Sequence, residues 1–472
     1  MNVLILGGGG REHAFAWKIA KSSLCKKLLV APGNAGTSKL ATNVDIDVND
    51  IPALLAIALK FQVHITFVGP EIPLALGIVD LFQEHGLNIV GPTRAAAQIE
   101  SSKSFAKHIM KLAGVPTASY KQFSCAKKAL EWGKKASYPL VVKADGLAAG
   151  KGVYISKNFS EAEEAVNEIF GGKFGKAEKI LVEEFLNGEE MSFFIVCDGK
   201  NFKLFKTAQD HKRVFEGDEG KNTGGMGAYS PSGLINKSLE SKIIEKIILP
   251  TLKAIEEMGE KYKGFLYAGL MILDNEPFLI EYNVRMGDPE CQTILPLLKN
   301  DLIDIFDACC NENLENLNIE WKEEKSLCIV LCSRGYPEKF TNNVKIDNLN
   351  KLQLNNNDFK EGYRDGVVLV ESIEESFCNN FICPIIKIKD NTKLVCNVNK
   401  RRPEEDNYIQ IKALNGEKLK TVRVELILYR KDVLEETNET STSSDWELIA
   451  FHAIPEGIDN LPMKPATMMR NQ

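Results

Sequence analysis

Apolar positions in the first hundred residues follow two rhythms. Short blocks, "NVLIL", "KKLLVAPG", "VHITFVGP" and "LNIVGP", run into Gly or Pro and read as buried strands. The intervening "DIPALLAIALKF" and "IPLALGIVDLFQEHG" repeat their apolar residues at helical spacing. Strands alternating with helices predict a doubly wound parallel sheet. Ligands of such sheets gather at the carboxyl ends of the strands, where "GGGGREH", "APGNAGT" and "VGPE" fall.

From about residue 101 the pattern changes to α+β. "SSKSFAKHIMKLAGVPT" predicts a capped helix ending at Gly114, with Pro116 beyond it. "YPLVVKADGLAAGKGVYIS" and an acidic helix from Ser160 follow, and "KILVEEFLNGEEMSFFIVCDG" reads as paired strands. "FLYAGLMILDNEPFLIEYNVRMGDPE" predicts two strands around an Asp274–Asn275 turn. Beyond about 325 an Asn-rich linker leads into short strand-like blocks, "DGVVLVESI", "ICPIIKIK", "KLVCNVN", "YIQIKAL" and "TVRVELILYR".

The 472 residues suffice for roughly two to four domains. A net charge of −6 argues against a nucleic-acid binder. Eleven cysteines without a CxxC pair or zinc-like spacing point to a reducing, cytoplasmic compartment. No apolar stretch is long enough to span a bilayer, so no membrane partner is expected.

Four stretches carry candidate chemistry. The glycines at 7–10 join a strand to a helix N-terminus, which suits an anion: a dinucleotide, a triphosphate or a sugar phosphate. A plain glycine turn is the bland alternative. The dinucleotide fingerprint fails because its third glycine position is Glu12 or His13, and Arg11 suits a compact phosphate monoester. "ADGLAAGKGV" resembles a Walker A loop but has the wrong glycine spacing, and Gly152 where a hydroxyl belongs. Lys143, on the strand before it, either points inward to an anion or lies outward on an edge. The polar, glycine-rich "QDHKRVFEGDEGKNTGGMGAYSP" reads as a binding loop. In "FLIEYNVRMGDPE", Glu281 and Asn283 share one strand face and offer oxygen ligands for Mg²⁺. Arg285 continues that face if the strand persists, and a structural salt bridge is its alternative role.

Taken in order, "GGGGREHA", "APGNAGT", "VVKADGLAAGKGV", "VEEFLNGEE", "QDHKRV", "NTGGMGAYSP" and "IEYNVRMGDPE" closely resemble the glycinamide ribonucleotide synthetase (phosphoribosylamine–glycine ligase) family of the ATP-grasp superfamily. The resemblance covers residues 1 to about 335. It implies an α/β protein with an N-terminal Rossmann-like substrate domain (1–100) and an ATP-grasp domain (101–325, with its ATP-binding lobe about 116–190). A remnant of the family's closing domain would occupy 326–354. The "VFHAGT" and "GGRVL" stretches of that closing domain are missing, which implies a divergent, β-rich module over 355–472.

The resemblance further implies a monomeric enzyme of purine biosynthesis that joins glycine to 5-phosphoribosylamine. ATP is the co-substrate, Mg²⁺ or Mn²⁺ the metal and glycyl phosphate the intermediate. Lys103 and Lys143 would contact ATP phosphates, with Gly150, Lys151 and Gly152 covering them. Glu183, Phe185 and Leu186 would frame adenine, and Glu190 would hold ribose. Glu281 and Asn283 would bind the metal, Arg285 would steady the acyl phosphate, and Asp288 would take the glycine amino group. Gly9, Gly10, Arg11, Glu12, Asn34, Gly36 and Thr37 would cradle the phosphoribosyl substrate. Asp210, with Gly224, Gly225, Met226 and Gly227, would close over the reacting centre. Two readings stand beside this one: an ATP-grasp ligase with other substrates, and a degenerate ligase kept as a scaffold.

Overall fold

A computed structural model describes residues 1–147, 152–175, 177–215, 219–323, 325–332 and 336–337, together with six strands between 369 and 455. The first strands are β1 (Asn2–Gly7), β2 (Lys27–Pro32), β3 (Thr42–Asn43), β4 (Ile65–Val68) and β5 (Ile89–Val90). They form one parallel sheet in the order β3-β2-β1-β4-β5. β1 is central, and its Val3 to Leu6 are wholly buried, which is why the block reads as a continuous apolar run. Helices α1 (Gly10–Ile19), α2 (Ile51–Lys60), α3 (Glu71–Leu76) and α4 (Ile78–Glu84) connect the strands. The stretch expected as one helix over 72–86 is two, because Gly77 at φ +92° ends α3 and starts α4.

After α5 (Gln98–Ser101), α6 (Lys103–Leu112) begins where the Ser102 hydroxyl accepts from Phe105 N. It closes as expected, with Gly114 at φ +66° just beyond its end. Next come β6 (Tyr120–Phe123), α7 (Ala126–Gly133), β7 (Leu140–Ala144), β8 (Val153–Ser156), α8 (Phe159–Phe170) and β9 (Ile180–Glu184). These build an antiparallel sheet in the order β6-β9-β7-β8. It has its own core, in which Leu140, Val142, Ile180 and Val182 meet Ala165, Val166 and Ile169 of α8.

The second sheet of this region, β11-β10-β16-β17, uses β10 (Glu189–Asp198), β11 (Phe202–Leu204), β16 (Lys263–Leu273) and β17 (Glu276–Asn283). The expectation that the strands of "KILVEEFLNGEEMSFFIVCDG" pair with each other is therefore corrected. β9 is flanked by β6 and β7, whereas β10 is flanked by β11 and β16, so residues 185–188 cross from one sheet to the other. The hairpin β16–β17 forms as expected, with Asp274 and Asn275 both at positive φ.

The segment expected as a binding loop carries short strands of its own. They are β12 (Gln209–Asp210), β13 (Arg213–Phe215), β14 (Glu219–Asn222) and β15 (Gly227–Ser230). β15 pairs with β12 and with β18 (Lys325–Ile329). Helices α9 (Lys237–Ile243), α10 (Leu249–Glu257), α11 (Glu290–Ile294) and α12 (Leu302–Cys310) complete the body. Phe306 of α12 stacks on Phe67 of β4, with centroids 5.1 Å apart, and Phe15 of α1 lies beside both. The N-terminal sheet therefore shares a core with the chain beyond residue 260, while the β6–β9 unit packs separately.

The C-terminal region is β-rich, as expected. Strands at 369–378, 381–389, 393–400, 407–415, 418–430 and 446–455 are described, and residues 381–389 pair with β18.

Candidate active site

At the carboxyl end of β1 the chain turns through Gly7 (φ +125°) into α1. Buried Glu12 folds back, so that its Oε2 accepts from Gly9 N at 2.7 Å and its Oε1 from Arg11 Nε at 2.6 Å. Arg11 also donates to Met286 O at 3.1 Å, and its N–H reaches Asp288 Oδ2 at 3.4 Å. The guanidinium expected to meet a phosphate is thus also a tie between the two domains.

Asn34 closes the other side. Its amide donates to Gly8 O and Gly9 O, while its Oδ1 accepts from Gly36 N at 2.8 Å and Thr37 N at 2.9 Å. Gly9, Gly10, Arg11, Glu12, Asn34, Gly36 and Thr37 therefore form one cradle. Asp288 stands at its rim, where Gln292 Nε2 donates to its Oδ1 at 2.6 Å.

A second cluster lies between the two sheets of the larger domain. Lys143 points inward from β7, not to solvent, and its Nζ meets Glu183 Oε2 at 3.0 Å. Glu183 lies buried under the end of β9, and the half-buried Phe185 and Leu186 follow it in the crossing segment. Lys103, at the start of α6, donates to Gly146 O at 2.8 Å, and burial pulls its ammonium below the usual range. Gly152 O accepts from Ala144 N, whereas Gly150 and Lys151 lie outside the described residues. Lys212 Nζ is 3.1 Å from Glu190 Oε2 and 3.8 Å from Glu281 Oε1.

Glu281 and Asn283 share one face of β17, as the alternation predicts, while Tyr282 between them packs into the core. Burial opposes ionisation of Glu281, but Lys212, Lys143, Lys103 and Arg285 together hold its carboxyl below the usual range. The expected continuation of the face to Arg285 fails as strand geometry, because β17 ends at Asn283. Arg285 turns instead to Glu71 Oε2 at 3.0 Å and Glu100 Oε1 at 2.8 Å, with Nη2 still donating to Asn283 Oδ1 at 3.2 Å.

Asp210 is half-buried at the end of β12, and desolvation pushes its carboxyl up against the pull of Lys212. Thr223 Oγ1 accepts from Gly225 N, Gly224 N donates to Tyr336 OH, and Met226 and Gly227 exchange backbone bonds with His211. Lys107, Glu71, Glu100 and Gln292 escape the sequence reading, since each acts on a partner on another element.

The glycine turn after β1 thus stands beside a carboxylate-bearing strand, β17, whose Glu281 is approached by Lys103 of α6, Lys143 of β7 and Lys212 after β12. The family model described as "Phosphoribosylglycinamide synthetase, N domain" matches residues 1–100, and that described as its "ATP-grasp (A) domain" matches residues 101–291. The chain belongs to the phosphoribosylglycinamide synthetase family.

A phosphoribosylamine–glycine ligase of Haemophilus influenzae is 48% identical over 361 residues, covering 75% of this chain and 84% of that one. The crystal structure of a phosphoribosylamine–glycine ligase from Thermotoga maritima superposes with a TM-score of 0.65 at 30% identity, covering 83% of this chain and 93% of that one. The biotin carboxylase domain of Hydrogenobacter thermophilus 2-oxoglutarate carboxylase shares the fold at 17% identity and a TM-score of 0.57, over 82% of this chain and 85% of that one. Members of the phosphoribosylglycinamide synthetase family are ligases of the ATP-grasp fold, and this chain carries both of the matched domains. Among the described residues no helix is long and apolar enough to cross a membrane.

Proposed function

We propose that the cleft between the β6–β9 sheet and β17 takes ATP, and that the cradle at Gly9 to Glu12 takes the phosphate of 5-phosphoribosylamine. The reading rests on one observation: Glu281 Oε1 lies 3.8 Å from Lys212 Nζ, and Lys103, Lys143 and Arg285, on three other segments, also bear on its carboxylate. Such a focus suits a triphosphate whose terminal group is leaving.

Adenine lies against Phe185 and Leu186 in the crossing segment, with its ribose toward Glu190. Lys103 and Lys143 hold the phosphates, and Gly150, Lys151 and Gly152 belong to the covering segment. Among the described residues no three His, Cys, Asp or Glu side chains converge as a metal cage. A carboxylate and an amide oxygen on one strand face therefore fit a hard cation that completes its shell with phosphate and water, as Mg²⁺ or Mn²⁺ does. When bound at Glu281 and Asn283, such an ion neutralises charge on the transferring phosphoryl group.

Glycine carboxylate attacks the terminal phosphorus, releasing ADP and forming glycyl phosphate. Asp288 receives the glycine ammonium, and Arg285 faces the acyl phosphate. The amine of 5-phosphoribosylamine then attacks the acyl carbon. The new C–N bond forms as the C–O bond to phosphate breaks, giving inorganic phosphate and glycinamide ribonucleotide. Asp210 and residues 224–227 shield this centre from water.

Following ADP release with phosphoribosylamine generated in situ tests the reading. ADP should be released over many turnovers only when glycine and the amine are both present, with at most about one equivalent per enzyme from glycine alone, and no ADP above background with both present would overturn it. Glu281→Ala removes a metal ligand worth several kcal/mol in the transition state, so kcat should fall roughly 100-fold or more. Unchanged turnover in that variant would move the metal elsewhere.

A further inference from the structure

Lys107 has no part in the chemistry above, yet it is among the most deeply buried charges of the molecule. Its side chain is 2% exposed and lies 3.1 Å from Glu183 Oε2, the same oxygen that Lys143 meets at 3.0 Å. One buried carboxylate oxygen therefore carries two ammonium partners. The two lysines are held differently. Lys143 stands on β7, just before the glycine-rich segment that leads into Gly146. Lys107, on α6, is tied on other sides as well. Its Nζ donates to Thr117 Oγ1 at 2.7 Å, and that hydroxyl donates to Leu279 O at 2.6 Å, two residues before Glu281. The ammonium also sits 5.3 Å from the ring centre of Tyr120 on β6. Burial pulls it down to about 8, with Glu183 opposing and Lys143 reinforcing that shift.

A carboxylate so far from water is strongly destabilised when its only counter-charge leaves. If Lys143 turns to nucleotide phosphates, Glu183 needs a second cation that stays behind. We propose that Lys107 is a positioning residue that keeps Glu183 neutralised and in place while Lys143 transfers from Glu183 to the phosphates of bound ATP. This rests on the reading of Lys143 as a phosphate ligand. Two lysines on one carboxylate let the site exchange a partner without leaving a bare buried charge.

Steady-state ADP release by the full chain, with ATP varied at saturating glycine and phosphoribosylamine, tests the assignment. Lys107→Met should raise the KM for ATP roughly tenfold while the KM for glycine stays within about twofold, and Lys107→Arg should restore most of the loss. In a Glu183→Gln background, where the carboxylate that Lys107 is proposed to neutralise is gone, Lys107→Met should add less than about threefold. An unchanged KM for ATP, a parallel rise in both KM values, or an equal cost in both backgrounds would each overturn the proposal. If Lys107→Met alone does not fold, recovery of folding with Glu183→Gln is the expected result, and failure in that background also overturns it. Lys143→Met separates the two levels. If that variant keeps its KM for ATP, the phosphate-site reading falls. If it loses ATP while Lys107→Met does not, only the role of Lys107 falls.

Discussion

Arg285 shows how much a single side chain in this site depends on distant partners. Its guanidinium spans Glu71, Glu100 and Asn283, and the Glu71 contact joins residues 214 apart in sequence. Only a planar fork with several donors can serve three acceptors in this way. Burial, together with the Glu71 charge, raises the Glu100 carboxyl to about 7, against the pull of Arg285 and the Val284 N–H. A carboxyl raised on folding binds its proton more tightly in the native state than in the unfolded one. Its contribution to stability is therefore full below the unfolded value near 4.5 and is lost as pH rises through about 7. The stability of the parent relative to Glu100→Gln should decline over that window. Chemical denaturation of both proteins between pH 4.5 and 7.5 checks this, and a difference that stays flat or grows with pH would contradict it.

At the level of elements, the turns between strand and helix do more than reverse the chain. Gly69 follows β4, and a Cβ there would overlap Glu12 Oε1, the side chain that also fills the space beside Gly7. Glu12 is 2% exposed and held by Gly9 N and Arg11, so it cannot swing aside. Gly69→Ala should therefore displace Glu12 and cost about 1–3 kcal/mol, as overpacking does in a tight interior. It should also raise the KM for phosphoribosylamine several-fold while leaving that for ATP unchanged. Thermal unfolding and the two KM values measure these effects, and equal changes in both KM values would place the damage elsewhere.

The same elements show what a sequence discloses. Period-two spacing makes the shared face of Glu281 and Asn283 legible, and Ser102 with Gly114 marks both ends of α6. The termination of β17 at Asn283 and the separation of β9 from β10 are not legible. They depend on which strands become neighbours, and periodicity within one segment carries no such information. Lys107 escapes for a related reason: on α6 it is one more lysine, and only the approach of Glu183 from β9 gives it meaning.

Among the described residues two core clusters join the N-terminal sheet to the later strands and helices, and one lobe packs by itself. Phe15, Phe67, Phe265 and Phe306 tie the N-terminal sheet to β16 and α12, so the glycine turn at Gly9 to Glu12 and the carboxylate-bearing strand sit on a common frame. The β6–β9 unit joins that frame through Lys107, Thr117 and the crossing segment at 185–188. The C-terminal strands also bear on the frame, the one at 369–378 lying against α1. Residues 381–389 pair with β18, which pairs in turn with β15 directly after the 224–227 segment. Cutting the chain after residue 355 would leave β18 with an open edge of unpaired N–H and C=O groups. Such a truncated chain should unfold at a lower temperature and self-associate, with its loss of turnover following the loss of folded protein. Thermal unfolding and light scattering, set beside ADP release per folded molecule, decide the matter. Equal melting temperatures for the two chains would mean that the strand at 381–389 contributes nothing to the catalytic body.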